Sequence, residues 1–271
     1  MRVNPARGLV LTIYALLIVV PVVVVVFGSF KTTEELFASP FAPPDSFSLV
    51  NYGTVLGDQN LDQAFANSVV VTLTSVVLTL ALGSLAAYGI ARIPGWKGWV
   101  IFGFLVLGMS VPAQANMIPQ YVLFNELGLL DSRIGLVLIN VVVGLPVSVF
   151  ILGGFMKTLP REAYEASSID GAGPLRTYWS IVMPMSRPSV AATAIFLFVI
   201  QWNELLYPLL FISSDAKKTI PLALLDFQGE FLTDYPLLFT GVVIASVPMA
   251  VAYVLLQRHF VAGITAGAVK G

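Results

Sequence analysis

The sequence predicts an all-α protein that crosses a membrane several times. The 271 residues are 57% hydrophobic and only 11% charged, whereas a soluble domain carries about 25% charged residues. Uncharged runs that reach the roughly 20 residues needed to cross the hydrocarbon core recur along the chain. Since no polar stretch is long enough to form a separate soluble domain, we expect residues 1–271 to be a single transmembrane domain.

The composition also excludes several classes of function. The chain has no cysteine and one histidine, which argues against a disulfide scaffold, a metal site and cysteine catalysis. Its net charge of −1 gives no reason to expect nucleic acid as a partner. It contains no phosphate-binding loop of the form G-x4-G-K-[ST]. We therefore expect no catalytic residues, no cofactor and no enzymatic activity in this chain alone.

Six spans are predicted from the uncharged runs. Their approximate bounds are 8–30, 65–91, 99–124, 134–156, 188–211 and 236–257. The first run is too long for a signal-peptide core and no cleavage site follows it, so we expect a retained helix. Glu204 interrupts the fifth run, and because hydrophobic residues resume after it, we expect that helix to continue to residue 211.

The basic residues predict the orientation of the spans. With six spans the two termini lie on one side, and ten of the 14 lysines and arginines fall on that side. Cytoplasmic loops retain Lys and Arg, so both termini are expected in the cytoplasm. This places a loop of residues 157–187 inside and two loops, 31–62 and 213–234, outside. Three prolines between residues 40 and 44 favour an extended path in the first outer loop.

The inner loop of residues 157–187 has the pattern of a helix–turn–helix. Pro160 and Glu162 suit the first turn of a helix. Gly171 fits the position just after its end, where a left-handed residue closes the helix, and Pro174 can begin a second helix. A helix of roughly 11 residues is marginal in water, so it needs a groove, either on the protein's own inner face or on a partner.

The same loop carries a motif with long fixed spacing. The pattern E-A-S-x3-G-x9-I-x-M-P, from Glu165 to Pro184, resembles the EAA motif of ABC importer permeases, E-A-A-x3-G-x9-I-x-L-P. Ser167 and Met183 are conservative departures from it. The stretches GSFKTTEELF from Gly28 and QWNELLYPLLF from Gln201 are also similar to the six-span permease of the maltose-transporter type. The resemblance covers nearly the whole chain and implies the type I ABC importer permease fold.

The resemblance also implies partners. They are a second homologous permease in a heterodimer, two copies of a cytoplasmic ATPase that bind ATP and magnesium, an extracytoplasmic solute-binding protein, a sugar and membrane lipid, in a bacterial or archaeal plasma membrane. The ATPase would dock on the EAA loop through Glu162, Glu165, Ala166, Asp170, Gly171, Ile181 and Pro184. The C-terminal tail is either free or a second ATPase contact through Thr265, Gly267 and Lys270.

Polar residues within the spans are candidates for a sugar path, and they are Gln114, Asn116, Gln120, Asn140, Gln201, Asn203 and Glu204. Glu204 is the one ionisable residue in a predicted span, which marks a functional candidate; the alternative is a structural carboxylate that bonds a neighbouring helix or the partner subunit. The stretch 110–120 places three amides between two prolines and predicts a broken helix, which suits either a gated path or interhelical packing. Trp202 and Tyr207 are expected to anchor the membrane interface.

The second outer loop contains the stretch DFQGEF. If it is exposed, Phe227, Gln228, Gly229 and Glu230 would contact the solute-binding protein, as the resemblance implies; the alternative is an ordinary turn at Gly229.

The leading hypothesis is therefore a permease subunit of an ABC sugar importer that works by alternating access. A stand-alone secondary carrier driven by ions through Glu204 is the alternative, and a membrane scaffold without transport activity is a third. Because no Arg or Lys lies within a span, we expect an uncharged substrate.

Overall fold

The protein was analysed as a computed structural model that describes residues 5–229 and 233–268, with side chains for residues 6–160, 162–229 and 233–254. This part of the chain is helical, and its one β feature is an isolated bridge between Gln228 and Thr233. The predicted all-α class is confirmed.

The helices are numbered in chain order. They are α1 (Pro5–Gly28), α2 (Thr33–Ala38), α3 (Val50–Gly53), α4 (Leu61–Ala91), α5 (Trp96–Leu107), α6 (Met117–Glu126), α7 (Arg133–Met156), α8 (Arg161–Ile169), α9 (Pro174–Thr177), α10 (Met183–Met185), α11 (Arg187–Trp202), α12 (Leu206–Phe211), α13 (Ile220–Ala223) and α14 (Tyr235–Ala268). Short 3-10 and π segments join several of them.

Four of the described helices are long and apolar enough to cross a membrane without a break, namely Ala6–Gly28, Leu61–Ala91, Arg133–Met156 and Tyr235–Val254. Two further candidates are bent pairs. Trp96–Ser110 and Ala113–Glu126 meet at 86°, and Pro174–Met185 and Arg187–Trp202 meet at 78°. The described chain thus has four continuous spans, or up to six if each bent pair counts as one.

Of the two bent regions, one was expected from the sequence and the other was not. The expected break at residues 110–120 is confirmed, since 3-10 turns on either side of Pro112 separate α5 from α6. The expected continuous helix over 188–211 is wrong, because α11 ends at Trp202 and α12 begins at Leu206. Pro208 explains the break: a proline in a helix interior clashes with the carbonyl four residues earlier, which here belongs to Glu204.

The chain divides into two compact units, one formed by Met1–Ala66 with Thr219–Pro248 and the other by Asn67–Lys218 with Met249–Gly271. In the first unit the segment after α1 is held by buried polar contacts. Lys31 is 1% exposed, and its ammonium group donates to the carbonyls of Ser39 and Ala42, both at 2.7 Å. The prolines between residues 40 and 44 lie in non-helical chain, as expected, but α2 and α3 flank them.

In the second unit, α4 and α7 approach closely through small residues. Ser148 on α7 lies directly against Gly83 on α4, so that a Cβ at position 83 would come within 2.7 Å of the Ser148 Cβ. Gly144 faces Thr79 and Gln201 in the same way. Such close backbone approach is typical of helices packed in membranes.

We expect Gly83→Ala to lower the melting temperature of the protein in detergent, because overpacking a tight contact costs about 1–3 kcal/mol. Gly89→Ala is the matched control: it lies in the same helix, and an added Cβ meets nothing within 4 Å. Since alanine favours a helix by up to about 1 kcal/mol over glycine, the control variant should unfold at the same or a higher temperature. Equal melting temperatures for Gly83→Ala and Gly89→Ala would contradict the close packing of α4 on α7.

Candidate functional site

The inner loop predicted as a helix–turn–helix has that structure. Helix α8 spans Arg161–Ile169, and Pro160 is its N-cap. Gly171 has φ +71°, the left-handed conformation that closes the helix. The amide of Gly171 donates to the Ser168 carbonyl at 3.2 Å and that of Ala172 to the Ser167 carbonyl at 2.9 Å, which is the Schellman pattern. Pro174 then begins α9, as the sequence predicts.

Buried hydrogen bonds tie this loop to α4. The hydroxyls of Ser167 and Thr177 lie 2.8 Å apart and join α8 to α9. The hydroxyl of Tyr178 lies 2.7 Å from that of Ser84 on α4, and the Tyr88 hydroxyl donates to the Pro174 carbonyl at 2.9 Å. Around these bonds, a cluster of buried side chains consists of Ala87, Tyr88, Leu152, Met156, Tyr178 and Val182. Directional hydrogen bonds and buried side chains therefore join the loop to the end of α4.

The tip of the loop is apolar and exposed. Ile169 is 86% exposed, Leu175 68% and Trp179 64%. The predicted coupling residues Glu162, Glu165, Ala166, Asp170, Gly171 and Pro184 are also exposed, whereas Ile181 is half-buried. Sequence reasoning missed the three large apolar residues, although Ile169 lies within the motif itself.

Glu204 lies in the break between α11 and α12. Its Oε1 accepts hydrogen bonds from the amides of Leu206 at 2.8 Å and Tyr207 at 3.4 Å. The carboxylate thus satisfies the first amides of α12, where a negative charge is favoured. This contact supports the structural interpretation of Glu204 over the path interpretation.

The other path candidates divide into buried and accessible groups. Gln201 and Asn140 are buried, and the Gln201 amide donates to the Asn140 carbonyl at 3.4 Å. Gln114 and Asn203 are exposed, and Asn116 and Gln120 are half-buried. Trp202 and Tyr207 are 3% and 2% exposed, which corrects the expectation that they anchor an interface. The structure therefore does not collect the seven predicted path residues at one accessible site.

A polar network that the sequence did not single out holds the opposite end of α7. The carboxylate of Asp131 accepts from the hydroxyl of Ser214 and from its amide at 3.0 Å. The Lys217 ammonium donates to the same carboxylate at 2.7 Å. Nearby, the amide group of Asn67 donates to the carbonyls of Ala216 and Lys218. The ion pair with Lys217 and the bonds from Ser214 hold the pKa of Asp131 well below its usual range.

Two predicted contact regions are only partly described. In the outer loop, Gln228 and Gly229 are exposed, but Phe227 is 6% exposed, which corrects its interpretation as an exposed aromatic. Its ring packs near Gly241 in the first unit. Glu230 and Lys270 lie outside the described residues. Thr265 and Gly267 fall within α14, of which only the backbone is described at those positions.

The architecture and the motif agree with a known family. The family model described as a binding-protein-dependent transport system inner membrane component matches residues 79–266. The chain belongs to this family. The matched region includes the whole EAA loop, so the resemblance to ABC importer permeases and the location in a membrane with several spans are both confirmed.

Relatives match along almost the full chain. The diacetylchitobiose uptake system permease protein NgcG of Streptomyces coelicolor is 33% identical over 95% of this chain and 86% of its own length. The multiple sugar-binding transport system permease protein MsmG of Streptococcus mutans is 35% identical over 97% and 96%. A crystal structure of a bacterial ABC transporter that imports the acidic polysaccharide alginate has the same fold, with a TM-score of 0.82 at 22% identity and coverage of 94% and 95%.

We expect Asp131→Asn to lower the melting temperature, because asparagine tolerates the left-handed backbone at this position (φ 48°) but loses the charge that pairs with Lys217. Asp215→Asn is the control, since Asp215 is 91% exposed and pairs with Lys218 at the surface. Because the pKa of Asp131 is lower in the folded protein, its contribution is complete at neutral pH and diminishes as the pH falls below about 4. If the difference in melting temperature between wild type and Asp131→Asn instead grows as the pH falls, the stabilising role of the charged Asp131 is contradicted.

Proposed function

We propose that this protein is a transmembrane permease subunit of an ATP-driven sugar importer. It forms the translocation path with a second homologous permease, and α8 couples it to two ATPase subunits that bind ATP and magnesium. Family membership supports the importer, and the names of NgcG and MsmG support a sugar as the cargo. The absence of Arg and Lys from the predicted spans favours a neutral sugar.

The exposed tip of the EAA loop is the observation that carries the proposed docking. Ile169 and Leu175 lie on either side of the turn at Gly171 and expose most of their surface, and exposed apolar residues that lie together mark an interaction site. A nine-residue helix is too short to be stable in water alone. Its contacts with α4 hold its base, and its tip is free to enter a groove. A cleft on the ATPase is the proposed partner.

The hydrogen bonds at the base of the loop provide a route for the motion. When the two ATPase subunits close on ATP, a displacement of α8 would pass through Ser167 and Thr177 to α9. From there the contacts of Tyr178 with Ser84, and of Pro174 with Tyr88, would carry it to α4. The broken pair of α5 and α6 is the proposed moving part of the sugar path, with Gln114 accessible at the break.

The remaining contacts are proposed from the resemblance. Gln228 and Gly229, both exposed, would touch the solute-binding protein, together with Glu230. The C-terminal contact with the ATPase would involve Thr265, Gly267 and Lys270. Glu204 has its Oε1 engaged by the backbone of α12, and this favours the importer over an ion-coupled carrier that binds and releases its ion at Glu204.

Affinity purification of the tagged chain from native membranes tests the proposal directly. We expect an ATPase and a second permease to accompany it in mild detergent, and uptake in cells to survive collapse of the ion gradients as long as ATP is maintained. A lone chain whose transport stops when the gradients collapse would overturn the importer and favour the ion-coupled carrier.

The coupling role predicts a specific response at Gly171. Gly171→Val forces a β-branched residue into the left-handed region at a cost of about 1–2 kcal/mol, which lowers the population of the docking conformation about tenfold. Sugar-stimulated ATP hydrolysis should fall accordingly, while the chain remains inserted in the membrane.

Two variants serve as controls for this effect. Gly171→Asn should retain most activity because asparagine tolerates the left-handed conformation. Gly173→Val should also retain most activity, because Gly173 has φ −68°, which any residue can adopt, and an added Cβ meets nothing within 4 Å. If Gly171→Val hydrolyses ATP and transports normally, the turn has no part in coupling.

A further inference from the structure

A cavity at the base of the EAA loop is not used by the proposed transport mechanism. It measures about 520 Å³ and lies within the second unit, where the ends of α4 and α7 meet the start of α5 and helix α8. This volume falls within the range of small-molecule sites, about 300–1,000 Å³. Arg92, Lys157, Trp99, Tyr164 and Glu165 are the polar and aromatic side chains that line it.

Two cations face this cavity without a carboxylate partner among the described side chains. Arg92 donates one N–H to the Tyr88 hydroxyl at 2.7 Å, which leaves most of its five donors available. The ammonium group of Lys157 lies over the rings of Trp99 at 3.8 Å and Phe102 at 4.0 Å. Tyr164 lines the cavity, while its hydroxyl is buried and has no hydrogen-bond partner in the described chain. The two cations suit an anionic group with several acceptor oxygens, such as a phosphate.

The cavity is continuous with an apolar face of α5. Trp96, Trp99, Val100, Phe104 and Leu107 recur at helical spacing, and each is between 57% and 73% exposed. This stripe runs along the whole length of α5, from Trp96 at its start to Leu107 at its end. A ligand that fits both features has an anionic head for the cavity and apolar chains for the stripe.

We propose that Arg92, Lys157, Trp99 and Tyr164 form a binding site for the headgroup of an anionic phospholipid in the cytoplasmic leaflet. The positive-inside count places this end of the helices at the cytoplasmic surface, where anionic lipids attract basic residues. Tryptophan at the headgroup level is typical of such an interface. Glu165 repels an anion, but its side chain is exposed, so water screens its charge. The lipid would thus contact both the membrane and the base of the EAA loop.

Lipid binding to the intact, purified transporter tests this proposal. Native mass spectrometry would follow titration with phosphatidylglycerol and, in parallel, with phosphatidylcholine. Each basic residue near an anionic surface contributes about fivefold in affinity, so the double variant Arg92→Gln/Lys157→Gln should bind phosphatidylglycerol about 25-fold more weakly. Lys97→Gln is the matched control, because Lys97 lies in the first turn of α5, close to Arg92 in the chain, but does not line the cavity.

The charge-conserving pair Arg92→Lys/Lys157→Arg distinguishes electrostatics from a loss of structure, since it should retain the preference for phosphatidylglycerol even where the glutamine variant assembles poorly. Inorganic phosphate forms a further arm. If phosphate alone competes fully with phosphatidylglycerol, the site takes a free anion and the lipid proposal fails. It also fails if the wild type binds both lipids equally, or if the glutamine variant loses the ATPase subunit while its lipid binding is unchanged. Sugar uptake by the same variants tests the importer function separately. If uptake persists in every variant, the importer function stands, and the lipid titration alone decides whether the cavity binds an anionic phospholipid.

Discussion

The arrangement of this permease depends on how a short helix is attached to a long one. Helix α8 has nine residues and too few internal hydrogen bonds to be stable by itself. Its position is set by the Schellman turn at Gly171 and by the hydrogen bond between Ser167 and Thr177, which joins it to α9. The contacts of Tyr88 and Tyr178 in turn hold α9 and the residues after it against α4. Because these contacts are directional, they fix both the position and the rotation of the loop relative to α4. An apolar contact alone would permit sliding along the helix.

The membrane interior imposes a second constraint, which explains the broken helices. Backbone groups released by Pro112 and Pro208 need partners, since hydrocarbon supplies none. At the second break, the Glu204 carboxylate accepts from the freed amides of α12. A residue that the sequence marks as a candidate for the sugar path therefore serves the local backbone. The same reasoning accounts for Gln201, whose amide is directed at the carbonyl of Asn140 on α7.

These examples show which parts of the structure the sequence could predict. Local signals were reliable where one residue decides the backbone, as at Pro160, Gly171 and Pro174, and the spacing of the EAA motif identified the family. Predictions failed where the outcome depends on distant packing. Nothing in the stretch DFQGEF reveals that Phe227 is buried near Gly241. The break before α12 is a different case: Pro208 is a local signal, but the expectation of a continuous helix followed the hydrophobic residues after Glu204 instead.

The polar network at Asp131 is another feature that the sequence could not predict, because its residues are distant in the chain. Asp131 is separated by more than 80 residues in the chain from both Ser214 and Lys217, and each of the three is an ordinary loop residue in the sequence. Their contacts bring the start of α7 together with the segment that follows α12, while Tyr88 and Tyr178 hold the EAA loop to the far end of α4. The second unit is thus fastened by directional bonds near both ends of its spans, with close apolar packing of α4 on α7 between them. In the proposed coupling, a displacement of the EAA loop would therefore reach α4 through the contacts of Tyr88 and Tyr178, and α7 through the close approach of Gly83 and Ser148.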